Sequence, residues 1–128
     1  PVILFSLFIY AMSALSDPPA PDFGLKLGDK INHFGAFAIM AVLAIRAASA
    51  LRPGRHLLPV LLIAIAYCAL FGASDEYHQS FVANRTSDVG DLAADVVGAL
   101  AAALVVYLTK GWRFTQWLTA RPHIEQQA

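Results

Sequence analysis

Four apolar segments, at about residues 2–16, 31–50, 56–73 and 92–109, leave this chain few ways to fold. The hydrocarbon core of a bilayer offers backbone amides no water, so an apolar stretch lying in it must close its own hydrogen bonds. A helix does this within one segment, and about 20 residues cross the core. No β-type alternation, internal repeat or low-complexity tract competes with that reading. With 58% hydrophobic and 14% charged residues, the chain is too apolar for an ordinary soluble domain. Mean hydropathy, at +0.58, agrees. The expected fold is all-α, a polytopic membrane protein in which residues 1–128 form a single four-helix transmembrane bundle with both termini cytoplasmic.

Punctuation between the segments is clear. Asp17-Pro18-Pro19-Ala20-Pro21-Asp22 is a stiff extended loop, and Leu51-Arg52-Pro53-Gly54-Arg55 is a tight turn. Pro59 falls in the first turn of the third helix, where a missing N–H is harmless. The polar loop from Val82 to Gly90 ends in Thr86-Ser87-Asp88, good N-cap chemistry for the fourth helix. The chain begins at Pro1, and its first apolar run is shorter than a span needs. It reads as a first membrane helix whose native start lies upstream. A cleaved signal peptide is the competing reading, since Ala11-Met12-Ser13-Ala14 is a small-residue region, but no basic stretch precedes it. Beyond the fourth helix, Trp112, Phe114, Trp117 and Leu118 mark residues 111–120 as an interfacial anchor, with Phe114, Trp117 and Leu118 on one face.

Orientation follows from basic residues. Arg46, Arg52 and Arg55 gather at the second turn without an acid among them, and Lys110, Arg113 and Arg121 follow the fourth helix. By the positive-inside rule both regions are cytoplasmic. The other two loops mix Lys26, Lys30 and Arg85 with acids and face outward. The formal net charge is zero and no basic stripe carries aromatics, which excludes a nucleic-acid partner. Membrane lipid is the partner that composition implies. Cys68, the single cysteine, lies in an apolar run and reads as a core or lipid-facing residue.

Three polar clusters then fall on the extracytoplasmic side. Asp29, Lys30 and His33 open the second segment, with Asp29 and His33 four apart on one helix face. Asp75, Glu76, His78 and Gln79 close the third, and Asp75, His78 and Gln79 share a face if the helix continues past Ala73. Asp88, Asp91 and Asp95 open the fourth, at i, i+3 and i+7, with Arg85 in the loop before them. Ionisable groups near membrane depth are costly and are usually functional or mutually paired. Three readings stay open. The histidines and carboxylates suit a divalent metal, although no HExxH or CxxC spacing is present and no cofactor is identified. Alternatively His78 or Glu76 acts as a general base oriented by Asp91, with Arg85 or Lys30 receiving an anionic group; Glu76, His33 and Asp91 are the catalytic candidates. The third reading is structural: Arg85 and Lys30 neutralise Asp75, Glu76 and Asp91. Phe34, Phe37 and Phe81 are placed to roof the cavity. Gly90, Ala94, Gly98 and Ala102 form a small-residue stripe that suits helix packing.

Asp29-Lys30-x-x-His33-x-x-x-Phe37, followed by Ser74-x-Glu76-x-x-Gln79-x-Phe81 with Arg85, Asp91 and Gly98, resembles the VanZ-like family of small bacterial membrane proteins. The likeness spans about Asp29 to Gly98. It implies a four-helix protein of the bacterial inner membrane, and its founding member is associated with resistance to the glycopeptide teicoplanin. The residues carried over are Asp29, Lys30, His33, Asp75, Glu76, Gln79, Arg85 and Asp91. Departures occur where the family has Pro-Gly before the arginine and this chain has Ala83-Asn84, and where the family has asparagine and this chain has Asp95. His78 is outside the pattern. Two functions follow as expectations: an outward-facing site that binds or modifies a cell-envelope component, or a non-catalytic accessory subunit that packs against a larger membrane protein complex.

Overall fold

The computed structural model describes residues 1–16, 28–51, 56–85, 87–110 and 113–119, with the backbone alone for 113 and 114. Five helices occur in it: α1 (Val2–Ser13), α2 (Gly28–Leu51), α3 (Leu57–Gln79), α4 (Val89–Leu108) and α5 (Arg113–Thr119). No strand is present among the described residues. Three of the helices, α2, α3 and α4, are long and apolar enough to cross a membrane. At 12 residues α1 is not, because a span needs about 20 residues at 1.5 Å of rise each. The all-α expectation therefore holds, and of the four transmembrane helices expected, three have the length to span. The loop at residues 17–22, the turn carrying Arg52 and Arg55, Trp112 and the tail lie outside the described residues.

Helix boundaries move toward the polar clusters. α3 runs to Gln79, six residues beyond the apolar run, because glutamate and glutamine are good helix formers and their side chains find partners inside the bundle. α2 starts at Gly28, which puts Asp29 in its first turn, where a negative charge suits the helix dipole. Asp88 caps α4, its carboxylate accepting the Gly90 N–H at 2.7 Å. Pro59 is the third residue of α3, inside the first turn as expected.

Most of the packing is between α2 and α4, with α3 lying against both. Gly98 sets their closest approach: a Cβ there would collide with the carbonyl oxygen of Phe34 on α2. Two apolar clusters fill the interior. One joins Ala44, Ile45, Ala48, Val60, Leu61, Ala64, Ala103 and Val106 to Leu118 of α5. The other gathers Phe37, Met40, Ala41, Cys68 and Ala99 around Ile9 of α1. Alanine-rich contacts let the backbones approach closely, the usual solution where lipid removes the hydrophobic drive between helices. Leu58, Leu62, Leu70, Leu104 and Leu108 point outward as a lipid-facing coat. α1 packs on α2 and α3 and joins its Ser6 hydroxyl to the Tyr67 hydroxyl at 2.7 Å, so it is a working part of the bundle.

The anchor segment corrects one expectation. In α5, Thr115 and Leu118 turn inward while Trp117 stays exposed, with the Arg46 guanidinium 5.4 Å from its ring centroid. Trp117 and Leu118 are adjacent residues about 100° apart on a helix. Leu118 follows Thr115 onto the bundle, where the Thr115 hydroxyl meets that of Thr109 at 2.9 Å. The Phe114 side chain lies outside the described residues.

Candidate functional site

The hydrogen bonds between helices place the C-terminal ends of α1 and α3 and the N-terminal ends of α2 and α4 at one end of the bundle. Asp29, Asp75, Glu76, Asp88, Asp91 and Asp95, every acid among the described residues, are carried there by α2, α3 and α4. Arg46 and Lys110 sit toward the other end, one on the C-terminal half of α2 and one just past α4.

The outermost layer is a strap. The Lys30 ammonium donates to Asp88 at 2.5 Å and to Asp91 at 2.8 Å, tying the start of α2 to the start of α4. Lys30 and the Gly90 N–H together hold the exposed Asp88 carboxyl below the ordinary aspartate range. A Cβ at Gly90 would lie 2.7 Å from the Lys30 nitrogen, so the glycine leaves room for that ammonium.

Beneath the strap lies an inner cluster. His33 Nδ1 and Asp95 Oδ1 are 2.9 Å apart, and the Asp88 N–H donates to Glu76 Oε2 at 3.0 Å. One ligand atom from each of His33, Glu76 and Asp95 lies within 4.8 Å of the others. Asp95 is fully buried and Glu76 is 5% exposed. Yet Asp95 Oδ2 and Glu76 Oε1 have no hydrogen-bond partner among the described residues. Gly72, one turn before Glu76 on α3, makes the space: a Cβ there would lie 2.8 Å from Asp95 Oδ2. With Asp95 ionised, the His33 Nδ1–H donates to it, which fixes the tautomer and leaves Nε2 as base or ligand.

A third group lies against α1. The Ser13 hydroxyl and the Gln79 amide both donate to Asp75 Oδ2 at 2.8 Å. Arg85 in turn donates to Gln79 Oε1 at 2.8 Å, and no carboxylate of the described residues is within ion-pair distance of it. Asn84 precedes it with φ 62°, a left-handed conformation that asparagine tolerates better than most residues. Asparagine thus fills the place where the resemblance has glycine. A cavity of about 140 Å³ opens between this group and α2. Phe8, Ile9, Met12, Ala36 and Phe37 form its apolar wall, and Asp29, Asn32, His33, Asp75, Gln79 and Arg85 its polar one.

The candidates therefore separate. Lys30 pairs with Asp91 and His33 with Asp95, Glu76 has a ligand atom within 4.8 Å of those of His33 and Asp95, and Asp29 lies beside His33 and Asp91, their ligand atoms again within 4.8 Å. Asp75, Gln79 and Arg85 form the neighbouring wall of the cavity. His78 is turned away: its ring stacks on Tyr10 of α1 at 4.3 Å, because it lies about 60° to one side of Asp75 on α3 while Gln79 lies about 40° to the other. The structural reading expected Arg85 to neutralise a carboxylate; it meets Gln79 instead. Phe37 lines the cavity, but Phe34 lines a separate groove and Phe81 packs edge-on against exposed Tyr77, so only one of the three aromatics takes the roofing role.

Ser13, Gly72 and Asn32 were not expected at the site. A signal for Ser13 was present: Ser6 and Ser13, seven apart on an apolar helix, share one face, and both are buried. Gly72 carries no comparable sequence signal, since its role exists only through Asp95 on another helix.

The family model described as VanZ/LLP1 matches residues 3–110. No curated protein and no solved structure gives a significant match.

Proposed function

The chain belongs to the VanZ/LLP1 family, and from that premise we propose that its polar end is an outward-facing site that binds or modifies the anionic headgroup of a lipid-linked cell-envelope component. The observation that carries this is the mixed lining of the cavity between α1, α2 and α3, where apolar side chains such as Phe8, Met12 and Phe37 stand with Asp29, His33, Asp75 and Arg85. Such a lining suits an amphiphile whose chain lies among the helices and whose headgroup meets the polar end. At about 140 Å³ it has room for a phosphate-sized group, with the remainder of the molecule outside. Arg85 supplies the fork. Its charge is spent on the neutral amide of Gln79, so a phosphate oxygen is a better acceptor than the one it has. His33, held by Asp95, is the group placed to take or give a proton.

Outward orientation is inferred from charge. Arg46 and Lys110 stand toward the far end without an acid among the described residues there, the pattern of a cytoplasmic face. The host membrane is then the inner membrane of a bacterium, with membrane lipid as the immediate partner. The accessory-subunit reading draws less support. Of the small-residue stripe it would use for docking, Gly98 and Ala102 already pack inside this chain, against Phe34 and the Phe37 cluster.

The test pairs Glu76→Gln, which keeps shape and removes charge, with Arg85→Lys, which keeps charge and removes the fork. Melting temperature in detergent is expected to hold or rise in Glu76→Gln and to fall little in Arg85→Lys. Both variants should lose the chain's effect on glycopeptide susceptibility of host cells. Destabilisation of both with an intact phenotype would sink the proposal and return the accessory reading.

A further inference from the structure

We propose that His33, Glu76 and Asp95 hold one divalent first-row transition-metal ion, Zn²⁺ or Mn²⁺, beneath the Lys30 strap. The inference supplies the cofactor of the proposed site and rests on reading this end as a ligand site.

Charge balance is the first argument. Six carboxylates gather here, and Lys30 is the cation that pairs with them, through Asp88 and Asp91. Glu76 has no ion pair among the described residues, and Asp95 has only the imidazole of His33. Two buried carboxylates side by side are strongly unfavourable unless a cation or protons compensate them.

Orphaned acceptors are the second. Glu76 Oε1 and Asp95 Oδ2 are both buried without a partner, although each carboxylate's other oxygen is satisfied. Buried polar atoms are rarely left so, and each calls for an ion, a water or a proton.

Geometry chooses among the possible occupants. The three ligand atoms lie within 4.8 Å of one another. Around an ion with bonds of about 2.1 Å, neighbouring ligand atoms sit roughly 3 Å apart in an octahedral shell and roughly 3.4 Å apart in a tetrahedral one. The 2.9 Å between His33 Nδ1 and Asp95 Oδ1 matches a neighbouring pair in an octahedral shell, with the ion replacing the proton that the two atoms share in its absence. One imidazole with two carboxylates suits Zn²⁺ or Mn²⁺; Mg²⁺ and Ca²⁺ prefer oxygen alone. Gly72 fits this arrangement, since any larger residue would press on Asp95 Oδ2.

The alternative set, Asp29, His33 and Asp91, is weaker. Asp29 is exposed, and Asp91 is already held by the Lys30 ammonium, which a metal would have to displace. His78 faces Tyr10 and takes no part.

The experiment uses the full chain, purified in mild detergent and stripped with a chelator, then titrated separately with Zn²⁺, Mn²⁺ and Mg²⁺. One equivalent of Zn²⁺ or Mn²⁺ per chain is expected, with a rise in melting temperature and no comparable Mg²⁺ binding. Asp95→Asn keeps the acceptor for His33 and removes the charge; it and Glu76→Gln should each weaken binding at least tenfold. His78→Gln should leave it unchanged, since the His78 ring lies against Tyr10. Should a site variant fail to fold, X-ray absorption of the zinc-loaded unaltered chain still decides, because one imidazole in an otherwise oxygen shell is required. Substoichiometric binding, a shell without imidazole, or full affinity in Asp95→Asn would overturn the inference. Absent binding with the phenotype still lost in Glu76→Gln removes the metal and leaves the proposed function standing. One tight equivalent with an unaffected phenotype does the reverse.

Discussion

The strap and the cluster beneath it are built from the same residue types, only one helical turn apart, and they satisfy opposite rules. In the strap, Lys30 divides its ammonium between Asp88 and Asp91, and Asp88 also caps α4. Every charge there has a partner and Asp88 faces water, so the arrangement explains itself as structure. In the inner cluster, Glu76 and Asp95 are buried with one oxygen each left over, and the nearest basic group is an imidazole. Exposed pairs contribute little and need little, whereas buried carboxylates are expensive unless something else neutralises them. The structural-network reading therefore describes the strap well and leaves the inner cluster unexplained. That difference is what the proposed metal ion would account for.

The change with the largest expected effect strikes both regions at once. Gly98→Ala puts a Cβ into the Phe34 backbone and must push α2 from α4, the two helices that supply Lys30–Asp91 and His33–Asp95 alike. We expect a loss of about 3 kcal/mol, read as a lower melting temperature in detergent. A near-neutral result would mean that the regions are held by something other than this helix contact.

A smaller change addresses the inner side alone. Ser13→Ala removes one of two donors to Asp75 Oδ2, in a residue 1% exposed, and should cost about 2 kcal/mol. Metal affinity at His33, Glu76 and Asp95 should survive, because Asp75 lies on the cavity wall outside that set. An unchanged melting temperature would detach α1 from the site.

The smallest effect belongs to the strap. The carboxyl of Asp88 is held below the ordinary aspartate range, chiefly by Lys30. A depressed carboxylate contributes stability above the ordinary aspartate pKa and loses it as pH falls through the lowered folded value. Melting curves recorded down into that acidic window should show a drop of a few degrees that Lys30→Met reduces, the Gly90 N–H keeping the remainder. An identical acid profile in Lys30→Met would show that the strap contributes nothing, and would sharpen the contrast further.

Much of the architecture was legible in the chain, for reasons that particular residues make plain. Apolar runs of spanning length admit only helices, and the cap at Asp88 and the first-turn place of Pro59 follow from local chemistry. Convergence of the three polar clusters was legible too, since successive helices joined by short connections must alternate direction. Residue-level partners were not. His78 shares a sequence cluster with Glu76, yet it faces Tyr10, because about 100° per residue scatters neighbours around a helix. Arg85 has four nearby acids in sequence and reaches a glutamine.

By itself, the sequence determined a helical membrane chain with its acids at one end, since hydrophobic length and helical periodicity are local properties and lipid enforces them. Only the tertiary structure decided which acids are neutralised. Lys30 reaches Asp88 and Asp91 across 58 and 61 residues, His33 reaches Asp95 across 62, and Gly72 admits that carboxylate from α3. Those meetings depend on the depth at which α2 and α4 cross at Gly98, which no single segment encodes. Because burial and pairing are properties of that crossing, the line between paired and unpaired carboxylates was drawn there, in the packing of three helices.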